Sequence, residues 1–528
     1  MNAPYSSPVR RQPQPRPGFF PTVWLLLLAL LPARLPAAAV TNLIPTLAEL
    51  RLTLSNQVAA PRFQAAAWGV KITSLDTGKT LFEHDAGKLL SPASNAKLFT
   101  VALGFDRLGG DYRMRTSLYA RARPARNGTL DGDLILFGRG DPGFRAGLHS
   151  NDLFRALQPL VAALTNAGVH RVKGDLLADA SFLAGPAYGA GWAWDDLQNY
   201  YGAPLSALTL NDNCVTLTTR PGAHIGDPPR FEFTPPRSGL RVTNSATTGP
   251  AGASNTFRLE RRPDEQVVRA LGQLPLGAAA LTEELPVADP ARWFGELFKQ
   301  ALARHGVRVD GGVRAVNWID RQLAPLDFGN CIELGAVESA PLRELAGWIL
   351  KPSQNLYTDL LLGHVGSLVL ATNRTSPGES SEDAGVRELG CFLRSAGMAS
   401  GQVVFEEGSG LSRNNLVTAA ALVSLLDFMH RHRCADAWRE ALPIAGVDGT
   451  LRRRLKGTAA EANVRAKTGT LRWASSLSGY VTTAAGEQLA FSLMLNRYQS
   501  SDRTRTAREE LDAIAVWLAS FAGRSDAP

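Results

Sequence analysis

The sequence predicts a mixed α/β (α+β) protein in which one domain is split by a long insertion. That insertion carries a second α/β domain, with a small β domain nested inside it. Three observations carry this expectation. Strands read near the N-terminus, at 67–74 and 79–84, and again near the C-terminus, at 477–483 and 488–495. A helix-then-strand pattern occurs twice in between, near 153–172 and 293–309, and Gly168 and Gly306 each end a helix. Between those two copies, residues 215–286 are rich in Pro, Thr and Arg and read as short alternating strands. The expected boundaries are therefore 40–108 with 325–528 for the split domain, 109–214 with 287–324 for the inserted α/β domain, and 215–286 for the nested β domain.

Residues 1–39 read as a secretory signal peptide. Arg10, Arg11 and Arg16 precede an apolar run at 23–31, and the small residues Ala37, Ala38 and Ala39 follow it. The run is too short for the roughly 20 apolar residues of a spanning helix, and no cysteine offers a lipid anchor. The protein is expected to act outside the cytoplasm with no stable membrane anchor after cleavage. Hydrophobic residues make up 45% and charged residues 20% of the chain, and the formal charge is +8. Four of those positive charges lie before residue 40, with no acid among them, so the surplus left after cleavage gives no reason to expect a nucleic-acid partner.

After the signal, 43–54 reads as a helix. Asp76-Thr77-Gly78 reads as the turn of a hairpin between strands 67–74 and 79–84. Ser91-Pro92-Ala93-Ser94 then opens a helix whose apolar stretch runs from 98 to 108, placing Ser94 at its N-terminus. From Gly109 onwards short strands and turns dominate. Asn127-Gly128 is a hairpin signal between strands at 115–122 and 130–137. The chain turns helical again from about Glu338 and closes with a helix from Thr504. Cys214, Cys331, Cys391 and Cys434 have no metal-ligand spacing. A Cys391–Cys434 disulfide and four separate thiols both remain open. The 8 histidines show no ligand spacing either, so no metal or cofactor is expected.

Three short motifs carry chemistry: Ser94-Asn95-Ala96-Lys97, Ser353-Gln354-Asn355 and Lys467-Thr468-Gly469. A serine hydroxyl needs a base to take its proton. Residues three apart share a helix face, so the Lys97 amine can reach the Ser94 hydroxyl. Burial and a neighbouring cation such as Lys467 would keep that amine neutral part of the time. Each motif alone has a bland reading as a solvated helix face or a strand edge. Their order and the secretory signal together favour catalysis.

In that order the motifs resemble those of penicillin-binding proteins and serine β-lactamases. The long gap between the first and second is similar to that of the low-molecular-mass class C penicillin-binding proteins, the D-Ala-D-Ala carboxypeptidase/endopeptidase group of peptidase family S13. Further stretches resemble that group: Gly140-Asp141-Pro142, 192–197, 200–204, 210–213, 408–413, 446–451 and 466–470. The resemblance implies a β-lactamase-like transpeptidase domain for the split domain. It implies hydrolysis of peptidoglycan peptides ending in D-Ala-D-Ala, with β-lactam antibiotics as covalent inhibitors. Ser94 would attack, Lys97 would accept its proton, and Ser353 would relay a proton to the leaving nitrogen. Asn355 would hold the substrate amide. Lys467 and Thr468 would take the terminal carboxylate, beside Gly469, and the N–H groups of Ser94 and Thr470 would form the oxyanion hole.

The resemblance also implies that Trp192, Asp195, Tyr200, Leu411 and Arg413 line a pocket for the amino end of a diaminopimelate side chain. From the residues alone, the aromatics here read as core. Two departures stand out. Arg472 follows the third motif where a small polar residue is usual, and would be able to neutralise Asp195. Gln354 replaces the commoner Asp and is not expected to do chemistry. The alternatives are a serine β-lactamase, for which no placed deacylating carboxylate is evident, and a non-catalytic wall-binding protein that keeps the fold.

Overall fold

The computed structural model describes residues 43–236, 239–262, 265–372, 378–500 and 505–526. The expected signal peptide at 1–39 lies outside them. Strands Ala67–Ser74 and Thr80–His84 form the expected hairpin, and they join Arg465–Leu471, Ala474–Thr482 and Gln488–Asn496 in one antiparallel five-stranded sheet. Ala67–Ser74 pairs directly with Gln488–Asn496, so segments more than 400 residues apart in sequence meet in this sheet.

Gln488–Asn496 is nearly continuously apolar because both of its faces are covered. Leu489, Phe491, Leu493 and Leu495 point to a core shared with Leu50, Leu54, Leu511, Ile514 and Leu518, from helices Leu47–Val58 and Ala507–Ala519. Ala490 and Met494 point to the opposite core, built on helices Ala96–Leu108, Leu342–Leu350, Asn355–Leu370 and Ala419–His430. This period-two division follows from strand geometry. On that side Ala419–His430 lies on the sheet, and Ala96–Leu108 packs against Leu342–Leu350 and Asn355–Leu370.

A second, mixed five-stranded sheet has the order Val313–Val316, Leu176–Asp179, Leu134–Phe137, Arg115–Ala120 and Ile332–Glu338. Helices Leu153–Asn166 and Pro290–Arg304, the two repeated helices of the sequence pattern, bury their apolar faces with it in one core. Between them, Cys214–Arg220 pairs with Arg230–Thr234 and Leu281–Pro286, next to two short parallel ladders.

Two expectations are corrected here. Asn127-Gly128 does not join a simple hairpin: Thr129–Leu130 leaves to pair with Arg171–Val172. Arg115–Ala120 instead pairs from Tyr119↔Ile135 onwards. The turn itself is real, with Gly128 at φ 76, but a turn signal does not fix which strands pair across it. Likewise, Ile332–Glu338 pairs with Arg115–Ala120, so the chain leaves the second sheet after Glu338 and not at 325. The four cysteines are free thiols, and the Cys391–Cys434 bond does not form.

Candidate active site

The site starts at a strained turn. Ala93 and Ser353 both adopt left-handed backbone, with φ 47 and 65, a conformation that costs on the order of 1–3 kcal/mol at a non-glycine residue and persists only where the surroundings enforce it. Around Ala93 the enforcement is visible. The Ser476 hydroxyl donates to the Pro92 carbonyl at 2.6 Å, and the Asn496 side chain bonds both backbone groups of Ser91. Two glycines press on the same turn. A Cβ on Gly469 would lie 2.5 Å from the Pro92 oxygen and 3.1 Å from the Ser94 nitrogen, and one on Gly410 would collide with the Ala93 carbonyl. Only glycine lets the 467–469 strand and the 408–412 turn approach this closely.

Ser94 sits in the 3-10 turn Ala93–Asn95 that runs into helix Ala96–Leu108, so Lys97 falls on its face as the spacing predicts. Lys97 is fully buried, and its amine donates to the Ser94 hydroxyl at 3.1 Å, to Asn355 Oδ1 at 2.6 Å and to the Ser409 carbonyl at 2.6 Å. Burial pulls the Lys97 pKa down to about 8, while Asp359 and Glu407 hold it from falling further.

Lys467 is equally buried and donates to the Ser353 hydroxyl at 2.8 Å and to the Thr468 carbonyl at 2.7 Å. Its pKa lies well below the ordinary lysine range, first through burial and then through Lys97 and Arg454. All three motifs therefore converge, with Lys97 joining the first to the second and Lys467 joining the third to the second. Gln354, whose middle position promised no chemistry, caps helix Asn355–Leu370 by accepting from the Leu356 N–H. Asn355 is pinned at both ends, since its Nδ2 donates to the Tyr201 carbonyl at 2.9 Å. Each end of the amide keeps capacity for a further partner.

The Thr468 hydroxyl donates to Thr450 Oγ1 at 2.8 Å. The Thr450 backbone is anchored in turn on the Lys351 carbonyl, beside a Lys351–Asp448 ion pair. Thr450 lies in the stretch 446–451 but carries no motif of its own in the sequence. No local signal marks it, because its partner lies 18 residues away.

The aromatic stretch borders the same site through Tyr201. Trp192 is half-buried, and its indole N–H donates to Glu407 Oε2 at 3.4 Å. Tyr200 is 43% exposed, Leu411 is buried, and Asp195, Arg413 and Thr470 are exposed. Asp195 forms no ion pair among the described residues. Arg472 lies instead over the Trp473 ring, 5.3 Å from its centroid. The neutralisation of Asp195 by Arg472 that the sequence allowed is thus absent. Its neighbour Asp196 is the buried carboxyl: burial and Asp195 raise its pKa, and Arg413 opposes them. Trp194 is 75% exposed and stands clear of any core.

The family model for the D-Ala-D-Ala carboxypeptidase 3 (S13) family matches residues 50–520. The chain is 35% identical over 487 residues to a D-alanyl-D-alanine carboxypeptidase of Actinomadura sp. (strain R39), covering 90% of this chain and 86% of that one. It is 26% identical over 443 residues to a D-alanyl-D-alanine carboxypeptidase of Haemophilus influenzae, covering 83% and 87%. The crystal structure of penicillin binding protein 4 from Haemophilus influenzae matches with a TM-score of 0.74 at 24% identity, over 89% of this chain and 98% of that one. That protein has also been solved in complex with a β-lactam. The likeness shows that the two share a fold.

Proposed function

Because this chain belongs to the D-Ala-D-Ala carboxypeptidase 3 (S13) family, we propose that it hydrolyses the D-Ala-D-Ala bond of peptidoglycan peptides through an acyl-enzyme on Ser94, and that β-lactams acylate the same serine. The observation that carries this reading is the buried Lys97 amine, in contact with the Ser94 hydroxyl and lowered to about pKa 8. Such an amine is neutral often enough near neutral pH to take the serine proton.

The proposed steps use the contacts described above and the roles that the family resemblance implies. Ser94 Oγ attacks the carbonyl of the penultimate D-Ala as its proton passes to Lys97. Charge on the carbonyl oxygen is taken up by the N–H groups of Ser94 and Thr470, each worth roughly 3 kcal/mol in such a role. Ser353, held by Lys467, relays to the departing nitrogen the proton that Lys97 took, which returns Lys97 to its neutral form for the attack of water. Asn355 uses its spare bonding capacity on the substrate amide. Thr468, with Gly469 behind it, and Lys467 take the terminal carboxylate. Water then releases the acyl group and restores Ser94. Incubation with a D-Ala-D-Ala peptide and, separately, with a labelled penicillin tests this: D-Ala release with slow loss of the label is expected. Rapid loss of the label would identify a β-lactamase, and no labelling at all a binding protein.

We place the action outside the cytoplasm, in the periplasm or its equivalent, because the substrate lies there and 1–39 reads as a signal peptide. No helix among the described residues is long and apolar enough to cross a membrane.

Substrate choice is assigned to the loop carrying Trp192, Asp195 and Tyr200, with Leu411 and Arg413 opposite. Asp195 attracts the free ammonium of a diaminopimelate-type third residue. Its exposure screens that attraction, so Asp195→Asn is expected to lower kcat/KM on such peptides by only about fivefold or less, equivalent to ~1 kcal/mol. Penicillin acylation should be unchanged. Comparing peptides with free and N-acetylated side chains checks this, and equal wild-type rates on the two would remove Asp195 from the role.

A further inference from the structure

We propose that Glu407 is a positioning residue for the reaction: its buried carboxylate folds the 408–412 turn so that the Ser409 carbonyl receives the Lys97 amine, and it ties that turn to Trp192. The inference rests on Lys97 being the base, as proposed above.

Glu407 is fully buried and forms no ion pair among the described residues. A carboxylate in that position is tolerated only if hydrogen bonds replace its water. The replacement comes almost wholly from one turn. Oε2 accepts from the Ser409 N–H at 2.9 Å and from its hydroxyl at 2.5 Å. Oε1 accepts from the Gly410 N–H at 2.7 Å, the Ser412 N–H at 3.3 Å and Asn415 Nδ2 at 2.7 Å. Asp359 adds a brace by accepting from the Gly408 N–H at 3.0 Å, and the Thr100 hydroxyl holds the Gly408 carbonyl at 2.8 Å. The product of this wrapping is the Ser409 carbonyl, which takes a hydrogen bond from the Lys97 amine beside those to Ser94 and Asn355. Trp192 reaches the same carboxylate, so the base and the aromatic loop share one anchor.

A neutral side chain would be able to hold a turn. The charge matters because Glu407 also faces Lys97. The groups around that amine are Asp359 and Asn355 from helix Asn355–Leu370, Glu407 from the turn, and Lys467 from strand Arg465–Leu471. Glu382 from helix Ser381–Ser395 acts on Asp359 and lies near Glu407 and Glu406. Asp359 and Glu407 are the two that favour the protonated amine. Removing either therefore makes Lys97 a weaker base that loses its proton at lower pH.

The test is the pH profile of Ser94 acylation by a labelled penicillin. In wild type the rate rises as Lys97 deprotonates. Glu407→Gln is expected to lower the plateau about tenfold or more, because an amide nitrogen cannot accept from the turn, and to move the rising limb down by about one pH unit. Glu407→Asp keeps the charge and returns the limb to its wild-type position. A folded Glu407→Gln protein with an unmoved limb, or Glu407→Asp shifting the limb as far as Glu407→Gln does, would overturn the proposal. If Glu407→Gln does not fold, Ser409→Ala takes its place: it removes a hydroxyl that Oε2 accepts from and leaves the carboxylate's charge, so a lowered plateau with an unmoved limb is expected, and a wild-type plateau overturns the proposal. A limb that survives unchanged in Lys97→Arg would instead mean that the base itself is misassigned.

Discussion

Ser94→Ala is expected to abolish covalent penicillin labelling and to cut D-Ala release on the order of a million-fold, the scale seen when a nucleophilic serine is removed from a serine hydrolase. The size of the effect follows from the absence of a substitute. Ser94 is the hydroxyl that Lys97 contacts, while the other hydroxyl of the site, on Ser353, is engaged by Lys467. Folding should be nearly unaffected, because Ser94 is only half-buried and the turn is held by Ser476, Asn496 and the two glycines. Mass spectrometry after incubation with penicillin, beside a melting curve, checks both halves. An adduct on the variant would take the nucleophile's role from Ser94.

The second large effect is expected at Lys97. Arginine keeps a positive charge but does not deprotonate in a protein, so Lys97→Arg should slow acylation by about 10²–10⁴-fold, the usual worth of general-base catalysis. The wild-type pH dependence belongs to the same argument. With its pKa at about 8, Lys97 is mostly protonated below that pH and mostly neutral above it. Acylation should therefore rise through pH 7–8 and level off above. The fall toward acid comes from loss of the base and not from unfolding, so a melting curve across the same range separates the two. Lys97 contacts Asn355 and Ser409 as well as Ser94, and a bulkier head group would disturb both. A near-wild-type acylation rate in Lys97→Arg would still assign proton abstraction elsewhere.

The parts of this protein that the sequence determined by itself are those set by local geometry. Ser94 and Lys97 meet because three residues along a helix return to the same face, and Gly168 and Gly306 mark helix ends because a left-handed C-cap suits glycine. The run 488–495 reads as a strand, and the structure has one at Gln488–Asn496. The family resemblance was legible for a related reason, since its motifs are short and keep their order along the chain.

The tertiary structure alone decided what depends on pairing and burial between distant segments. Asn127-Gly128 signalled a turn, but the competing partner at Arg171–Val172 took one of its flanking strands. Two adjacent acids, Asp195 and Asp196, look equivalent in sequence, yet one is exposed and the other buried against the reach of Arg413. Glu406 and Glu407 are likewise adjacent, and only Glu407 is fully enclosed, beneath a base 310 residues earlier in the chain. A pKa near 8 on Lys97 cannot be read from Ser-x-x-Lys, because it is the sum of desolvation and of carboxyls brought in by two other segments. Local spacing fixes which atoms are able to touch along one helix; the field those atoms feel is set by whatever the remainder of the chain packs around them.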